Sequence, residues 1–599
     1  MYPQDPMGNQ ANRSIRGQLS NPNSKIHKHP EMVRLKNLYQ LKTKGTDRIV
    51  VIDDPTKPVE GQVRRVAEGL TMPQSILPYK NGVYVAHGSE MLYLEDADND
   101  GVFEKPTTVL TGFSYIDTHT MSHLLTRAPG GWINFSHGAM NLGEVTAVAS
   151  GAKQQINYSK IARFSIDGEK IELVSSGLNN IWGYQLRSNG QWYGSEANDK
   201  GMSVVPMEPM TGYLGIGNDK LRPYQPMMPQ IHKFRVGGTG ISALAFGEDD
   251  TGSFPEEWQN VALLANPITN TINTVKIDRD GTGAINATHL TDLLKCEDDW
   301  FRPVNMEFGP DGCLYIADWY NKVVSHNEIP RTDPSRDKTH GRIWRIRHVS
   351  QKPRQIPNVL KAKDSDLVKH LTGPSRWEKR AAWHQIADRQ TKSILPDIKK
   401  IASNSDLSIG SRIHALWSYE SLGEFDLAFT RNLLQDKDHN IRRESARSLT
   451  SFDLTAAQTS SLVAPLIEDS NAMVRSQTLR TLAEIGKADH STIALLVQAS
   501  KTLLPGKKAM GGTYERQFER YLARVAMEQY PAELKSYLNS AQAAKQPGAN
   551  IIWALQSLGE DSFAELFPKF WSVDNAKDMD DEMFISLSTV VGNLSLIHI

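Results

Sequence analysis

Three stretches of this chain gather residue types that do chemistry. The first is Asp96-Ala97-Asp98-Asn99-Asp100-Gly101. Alternate side chains there put three carboxylates on one concave side, and Gly101 permits the sharp turn that wraps them round a hard cation such as Ca2+. Glu104 adds a fourth carboxylate, but an EF-hand would need Glu at position 107, where Thr107 stands. A polar hairpin loop accounts for the same letters, since Asp, Asn and Gly also simply make turns. Asp278-Arg279-Asp280-Gly281 is a weaker echo and reads as a turn. The second stretch is Asp117-Thr118-His119-Thr120-Met121-Ser122-His123. Imidazole titrates near neutrality and can accept a proton from a hydroxyl, so His119 is the candidate general base, with Asp117 to orient it. His137 is a further candidate. Against these stands the plain reading of structural histidines, and a His/His metal pair at this spacing would need a helix where the segment reads as loop. The third stretch, 301–346, holds a Gly309-Pro310-Asp311-Gly312 turn, an alternating strand, a loop and a second strand. Trp319 and Tyr320 offer flat faces for stacking. His326, Asp337, Lys338 and His340 crowd the loop, which either binds something or is a solvated, salt-bridged surface.

The elements that must position these residues fall into two halves. From 47 to 350 the pattern has period two, broken by Gly, Asp and Asn turns, with strands expected at 48–52, 83–86, 91–94, 132–135, 161–164, 171–174, 192–195, 261–264, 273–277, 314–318 and 342–346. The phrases VRRVAEG, TTVLTG and IELVSSG repeat one strand ending. Six groups, beginning at Arg48, Val83, Trp132, Trp192, Val261 and Leu314, predict a six-bladed β-propeller of roughly 40–50 residues per unit. Residues 1–46 read as an extension or an incomplete first blade.

After a linker at 351–365 the period becomes helical, and 366–599 predicts a HEAT-like α-solenoid. Arg380, Arg412, Arg443 and Arg475 recur at spacings of 32, 31 and 32 residues, the last three preceded by Asp406, Asp438 and Asp469. Such an Asp can cap a helix while the Arg ties neighbouring turns. The last letters, NLSLIHI, break off within an apolar pattern, so truncation is expected at both ends. The architecture is multidomain β plus α.

Bulk properties exclude several classes. With 67 basic and 68 acidic residues the formal charge is −1, which favours neither nucleic acid nor an anionic membrane as partner. No apolar run spans a bilayer, and MYPQDPMGNQANRS lacks the apolar core of a signal peptide. Cys296 and Cys313 are the only cysteines, so there is neither a CxxCH haem attachment nor a thiolate zinc site. They would form one disulfide in an exported domain, or remain two free thiols.

The segment 301–346 resembles the last blade of soluble quinoprotein glucose/sorbosone dehydrogenase-like β-propellers. The nearer likeness is to the planctomycete-type, membrane-bound dehydrogenase-like branch, which adds HEAT repeats and often a c-type haem domain. GLNNIWGYQLRSNGQWYGSEAND, from Gly177 to Asp199, is similar to a family phrase with an Arg-Asn-Pro turn. The resemblance implies that Asn180 and Arg302 contact a cofactor, pyrroloquinoline quinone, and that Trp319 stacks nearby. Asn179 stands in place of the family's Arg and Ile181 in place of its Pro, which removes a cation that would neutralise a quinone carboxylate. It further implies oxidation of a sugar or polyol, a cytochrome c-type partner, and a periplasmic or cell-surface location. Two other readings stay open: a non-catalytic propeller and solenoid that bind glycans or proteins, and a calcium-dependent hydrolase built on Glu196, Asp199 and Asp318.

Overall fold

The computed structural model describes residues 45–597 apart from 46, 54–61, 119, 200, 220, 249–253, 259, 325–328, 330–332, 338 and 350–354. Its first half is six antiparallel sheets. A two-stranded sheet pairs Asp47–Ile52 with Val63–Leu70. The second sheet runs Pro73–Tyr79, Gly82–His87, Glu90–Glu95 and Lys105–Thr111, and the third His123–Ala128, Trp132–His137, Lys160–Ser165 and Ile171–Ser176. The fourth holds Ile181–Leu186, Trp192–Glu196 and Val205–Pro206. The fifth begins with Ala243–Phe246, Val261–Asn266 and Thr271–Arg279, and the sixth holds Pro303–Phe308, Leu314–Asp318 and Arg342–Ile346.

The first strands of the second to sixth sheets lie side by side in chain order, so the sheets fan outward from them. This corrects one expectation. Val83, Trp132, Trp192, Val261 and Leu314 belong to the second strand of each sheet, not the innermost. The first strand of the fifth sheet, Ala243-Leu244-Ala245-Phe246, is short and buried on both faces, and so lacks alternation. A hairpin, Leu142–Ala147 with Lys153–Asn157, leaves the third sheet and extends the second through Leu110 and Thr111.

The second half is fifteen α-helices among the described residues, from Asp364–His370 to Asp581–Ile597. Asp438 caps His439–Ser448 through the amides of Asn440 and Ile441, whereas Ser408 and Asn471 cap the helices after Asp406 and Asp469. The ties between turns run from Arg412 to Asp436 and from Arg442, the neighbour of Arg443, to Asp469 at 2.7 Å. Cys296 and Cys313 are both free thiols.

The helices pack across one end of the sheets. A single apolar core runs from Ile161, Tyr184 and Trp192 into Trp383, Leu416 and Leu479. Polar contacts stitch the same seam. Arg127 pairs with Asp388 at 2.6 Å, Arg443 donates to the Asn189 carbonyl at 2.5 Å, and the Ala472 amide donates to Gly281 at 2.9 Å. Every one of these strand-side residues sits at or near the turn after a first strand or an outer hairpin. The opposite end, where the loops enter the first strands, is the end these contacts leave uncovered.

Candidate functional site at the loop end of the sheets

At the uncovered end, the second strand of each of the five larger sheets finishes in a polar residue: His87, His137, Glu196, Asn266 and Asp318. Register puts each beside the start of its first strand, as in Ile181 opposite Glu196 and Pro303 opposite Asp318. Four of them bind the loop entering that strand. His87 Nδ1 accepts from Thr71 N at 2.9 Å. Glu196 accepts from the Asn179 and Asn180 amides at 2.7 and 3.3 Å, Asn266 donates to Thr239 O at 3.0 Å, and Asp318 accepts from Arg302 N at 2.8 Å. Buried carboxylates and amides persist because such bonds replace water. In the sequence these residues stand as VAH, FSH, GSE, LAN and IAD at the ends of the second strands, and His137, Glu196 and Asp318 among them are candidates for chemistry rather than for loop anchoring.

The third sheet departs from this rule. His137 is fully buried, its Nδ1 meets Tyr158 O at 3.0 Å, and its Nε2 has no partner; burial holds its pKa at about 4. The entering loop is held instead by Thr120 and Asn141. Gly138 N donates to Thr120 O at 3.1 Å, and Asn141 receives Asp117 N and donates to Asp117 O, both at 2.9 Å. Asp117 is thus fixed through its backbone. His119, the candidate base, lies outside the described residues, as do His326 and Lys338. His123 is structural: it is buried, its nitrogens face Met121 O and Ile181 O at 2.5 and 2.7 Å, and it stacks 3.9 Å from Trp182.

Asn180 comes to this loop from the fourth sheet. A β-carbon on Gly138 would stand 3.1 Å from Thr120 Cβ and 3.3 Å from Asn180 Oδ1, an atom buried without a hydrogen-bond partner. Arg302 and Trp319 stand two sheets further round the same end. Arg302 is buried and already committed: Nε donates to Asn321 O at 2.8 Å, Nη2 to Lys322 O at 2.9 Å, and Nη1 to Asn270 Oδ1. Trp319 is 42% exposed, among other exposed apolar side chains of this end, Ile116, Ile216 and Ile268. Asp337 lies under His340, 2.6 Å from its Nδ1, as a salt-bridged loop would.

The carboxylates do not all converge. Asp96, Asp98, Asp100 and Glu104 offer ligand atoms within 4.8 Å of one another, the only such acidic group among the described residues. Asn99 and Gly101 take the left-handed conformation, and Asp96 Oδ2 and Asp100 Oδ1 accept from Gly101 N and Val102 N at 3.0 and 2.8 Å. This loop joins outer strands at the helix-covered end, since Asn81 of the first hairpin donates to Asp96 O at 3.2 Å. Glu196, Asp199 and Asp318 form no comparable group. Glu196 and Asp318 hold loop amides, while Asp199 accepts from Val236 N at 2.5 Å and burial raises its pKa. The hydrolase reading loses its metal floor.

No curated protein matches the chain. Among solved structures it is similar to a glucose dehydrogenase, 15% identical over 46% of this chain and 87% of that one, with a TM-score of 0.32. It is also similar to the soluble aldose sugar dehydrogenase of Escherichia coli in its apo form, at 13% identity, 42% and 93% coverage and a TM-score of 0.27. The chain is also similar to a designed armadillo repeat protein, 11% identical over 39% of this chain and all of that one, with a TM-score of 0.18. The model of a family described as a domain of unknown function, DUF7133, matches residues 31–350, over half of the 599, and the chain belongs to that family.

Proposed function

We propose that this chain is a six-bladed, glucose/sorbosone dehydrogenase-like propeller backed by HEAT-like repeats, which takes a sugar or polyol at the loop end. The observation that carries the reading is the asymmetry of the β domain. Helices seal the turn end, and the loop end keeps Asn180 Oδ1, His137 Nε2 and Asp199 Oδ1 buried without partners. Unmet buried polar atoms near exposed apolar side chains suit a ligand rich in hydroxyls. His119, beside Asp117, would accept the proton of a substrate hydroxyl. The resemblance adds a quinone or cytochrome as electron acceptor and a periplasmic or cell-surface location.

The residues present do not fit pyrroloquinoline quinone well. Its carboxylates call for cations, yet Asn179 is neutral and spends its Oδ1 on Ile216 N at 3.1 Å, and all three nitrogens of Arg302 already donate to the protein. No step is therefore drawn through the quinone. The same two residues favour the second reading, a non-catalytic propeller and solenoid that recognise glycans or proteins. Calcium at Asp96, Asp98, Asp100 and Glu104 would be structural, because that loop lies away from the loop end.

Titration with the quinone, with and without calcium, followed by oxidation assays with an artificial acceptor, separates the two. Stoichiometric binding and sugar oxidation that His119→Ala abolishes would support the enzyme. Sugar binding without oxidation would support recognition, and neither activity would defeat both.

A further inference from the structure

The seam between sheets and helices holds a cleft that neither half makes alone. Its mouth, about 460 Å³, opens between Trp132, Arg163, Lys170 and Glu172 of the third sheet and Glu484 and Gln529 of the helices. Behind it lies a chamber of about 70 Å³ that shares Trp132, Arg163 and Glu484 and reaches Asn134. The mouth has the size of a small-molecule site, which domain interfaces commonly provide (roughly 300–1,000 Å³).

Its chemistry is selective. Two cations and two carboxylates balance at the mouth. Arg163 donates through Nε and Nη2 to Glu172 at 3.0 and 2.8 Å, lies 3.7 Å from Glu484, and covers the Trp132 ring at 4.2 Å. Around the chamber Arg443, Arg447 and Arg480 pair with Glu444, Glu420 and Glu208, and a charged ligand would have to break into these pairs. A neutral ligand with many hydroxyls meets donors and acceptors in both senses. At the back, Asn134 is 4% exposed, donates to Tyr184 OH at 2.9 Å, and leaves Oδ1 unpartnered. That atom asks for a hydroxyl.

We propose that this seam is a binding site for a neutral saccharide, separate from the loop end and formed by sheets and helices together. Occupancy would tie the two halves and stabilise their contact by mass action. The proposal does not depend on any oxidation at the other end.

The test is calorimetric titration of the full chain with cellobiose and maltotriose, and with glucuronate as a charged counterpart. A neutral sugar should bind, and Ser451→Trp, at an exposed residue that lines the mouth, should weaken it about tenfold or more. Gln529→Ala, on the exposed rim, should weaken it as well, with both variants unfolding at the parent temperature when sugar is absent. Failure of both neutral sugars to bind, or preference for glucuronate, overturns the proposal. So does undiminished binding in both variants, which would mean that the sugar sits elsewhere.

Discussion

Glu208 offers the sharpest test of how the two halves are joined. It stands in the fourth sheet's outgoing segment, 13% exposed, and receives Arg279 Nη1 of the fifth sheet at 2.6 Å and Arg480 Nη2 of the helices at 3.2 Å. Burial alone would push its carboxyl up; Arg279, Arg480 and Arg443 overcome that and hold it at about 2, against an ordinary 4.5. That gap corresponds to about 3 kcal/mol in favour of the folded, ionised form. Removing one partner from a buried ion cluster costs roughly 3–5 kcal/mol, so the two routes meet at about 3. Glu208→Gln should therefore lower unfolding stability by about 3 kcal/mol at pH 7, read by urea denaturation with tryptophan fluorescence. Because the folded pKa is depressed, the contribution is complete above pH 4.5 and fades as the pH falls towards 2. Paired with Arg480→Met, the losses should fall short of additivity by about 1 kcal/mol or more. A loss below about 0.5 kcal/mol, or strictly additive losses, would refute the claim that this cluster joins sheets to helices.

Three further outcomes are expected. His137 is held at about 4 and His414 at about 3 by burial, so each favours its neutral form when folded. Their contribution is complete above about pH 6.5 and declines by about 1.4 kcal/mol per pH unit per histidine below it; a thermal melt flat between pH 7 and 5 would contradict this. Ca2+ should raise the melting temperature of the parent but not of an Asp98→Asn, Asp100→Asn double variant, and an equal rise in both would remove the ion from this loop. Asp318 accepts Arg302 N, Tyr320 N, Arg342 Nε and Trp344 Nε1 at 2.8, 2.9, 2.6 and 2.9 Å. Asp318→Ala should thus cost about 3 kcal/mol or more in urea unfolding, and a near-neutral result would show that water replaces the carboxylate freely.

The division into a β half and a helical half was legible because period two gives way to a helical period. The inner strand Ala243–Phe246 was not, since burial on both faces erases alternation. Side-chain roles were read less well than positions. His123 and His137 look equivalent as letters, yet one meets two carbonyls and the other keeps a bare Nε2. Arg302 was found where an anion-binding Arg would be expected, but the carbonyls of Asn321 and Lys322 that occupy it belong to a turn whose path no side-chain pattern encodes.

The polar residues closing the second strands explain how such a fold can vary its chemistry at one end. His87, Glu196, Asn266 and Asp318 each hold the loop that enters their own sheet, so every loop is anchored locally and its tip is free to carry different side chains. Where the anchor fails, at His137, the loop is instead held by Asn141 through the backbone of Asp117. That arrangement leaves one imidazole nitrogen, His137 Nε2, out of anchoring duty. Position in the sheet, rather than residue type alone, therefore decides which polar side chains anchor a loop and which do not.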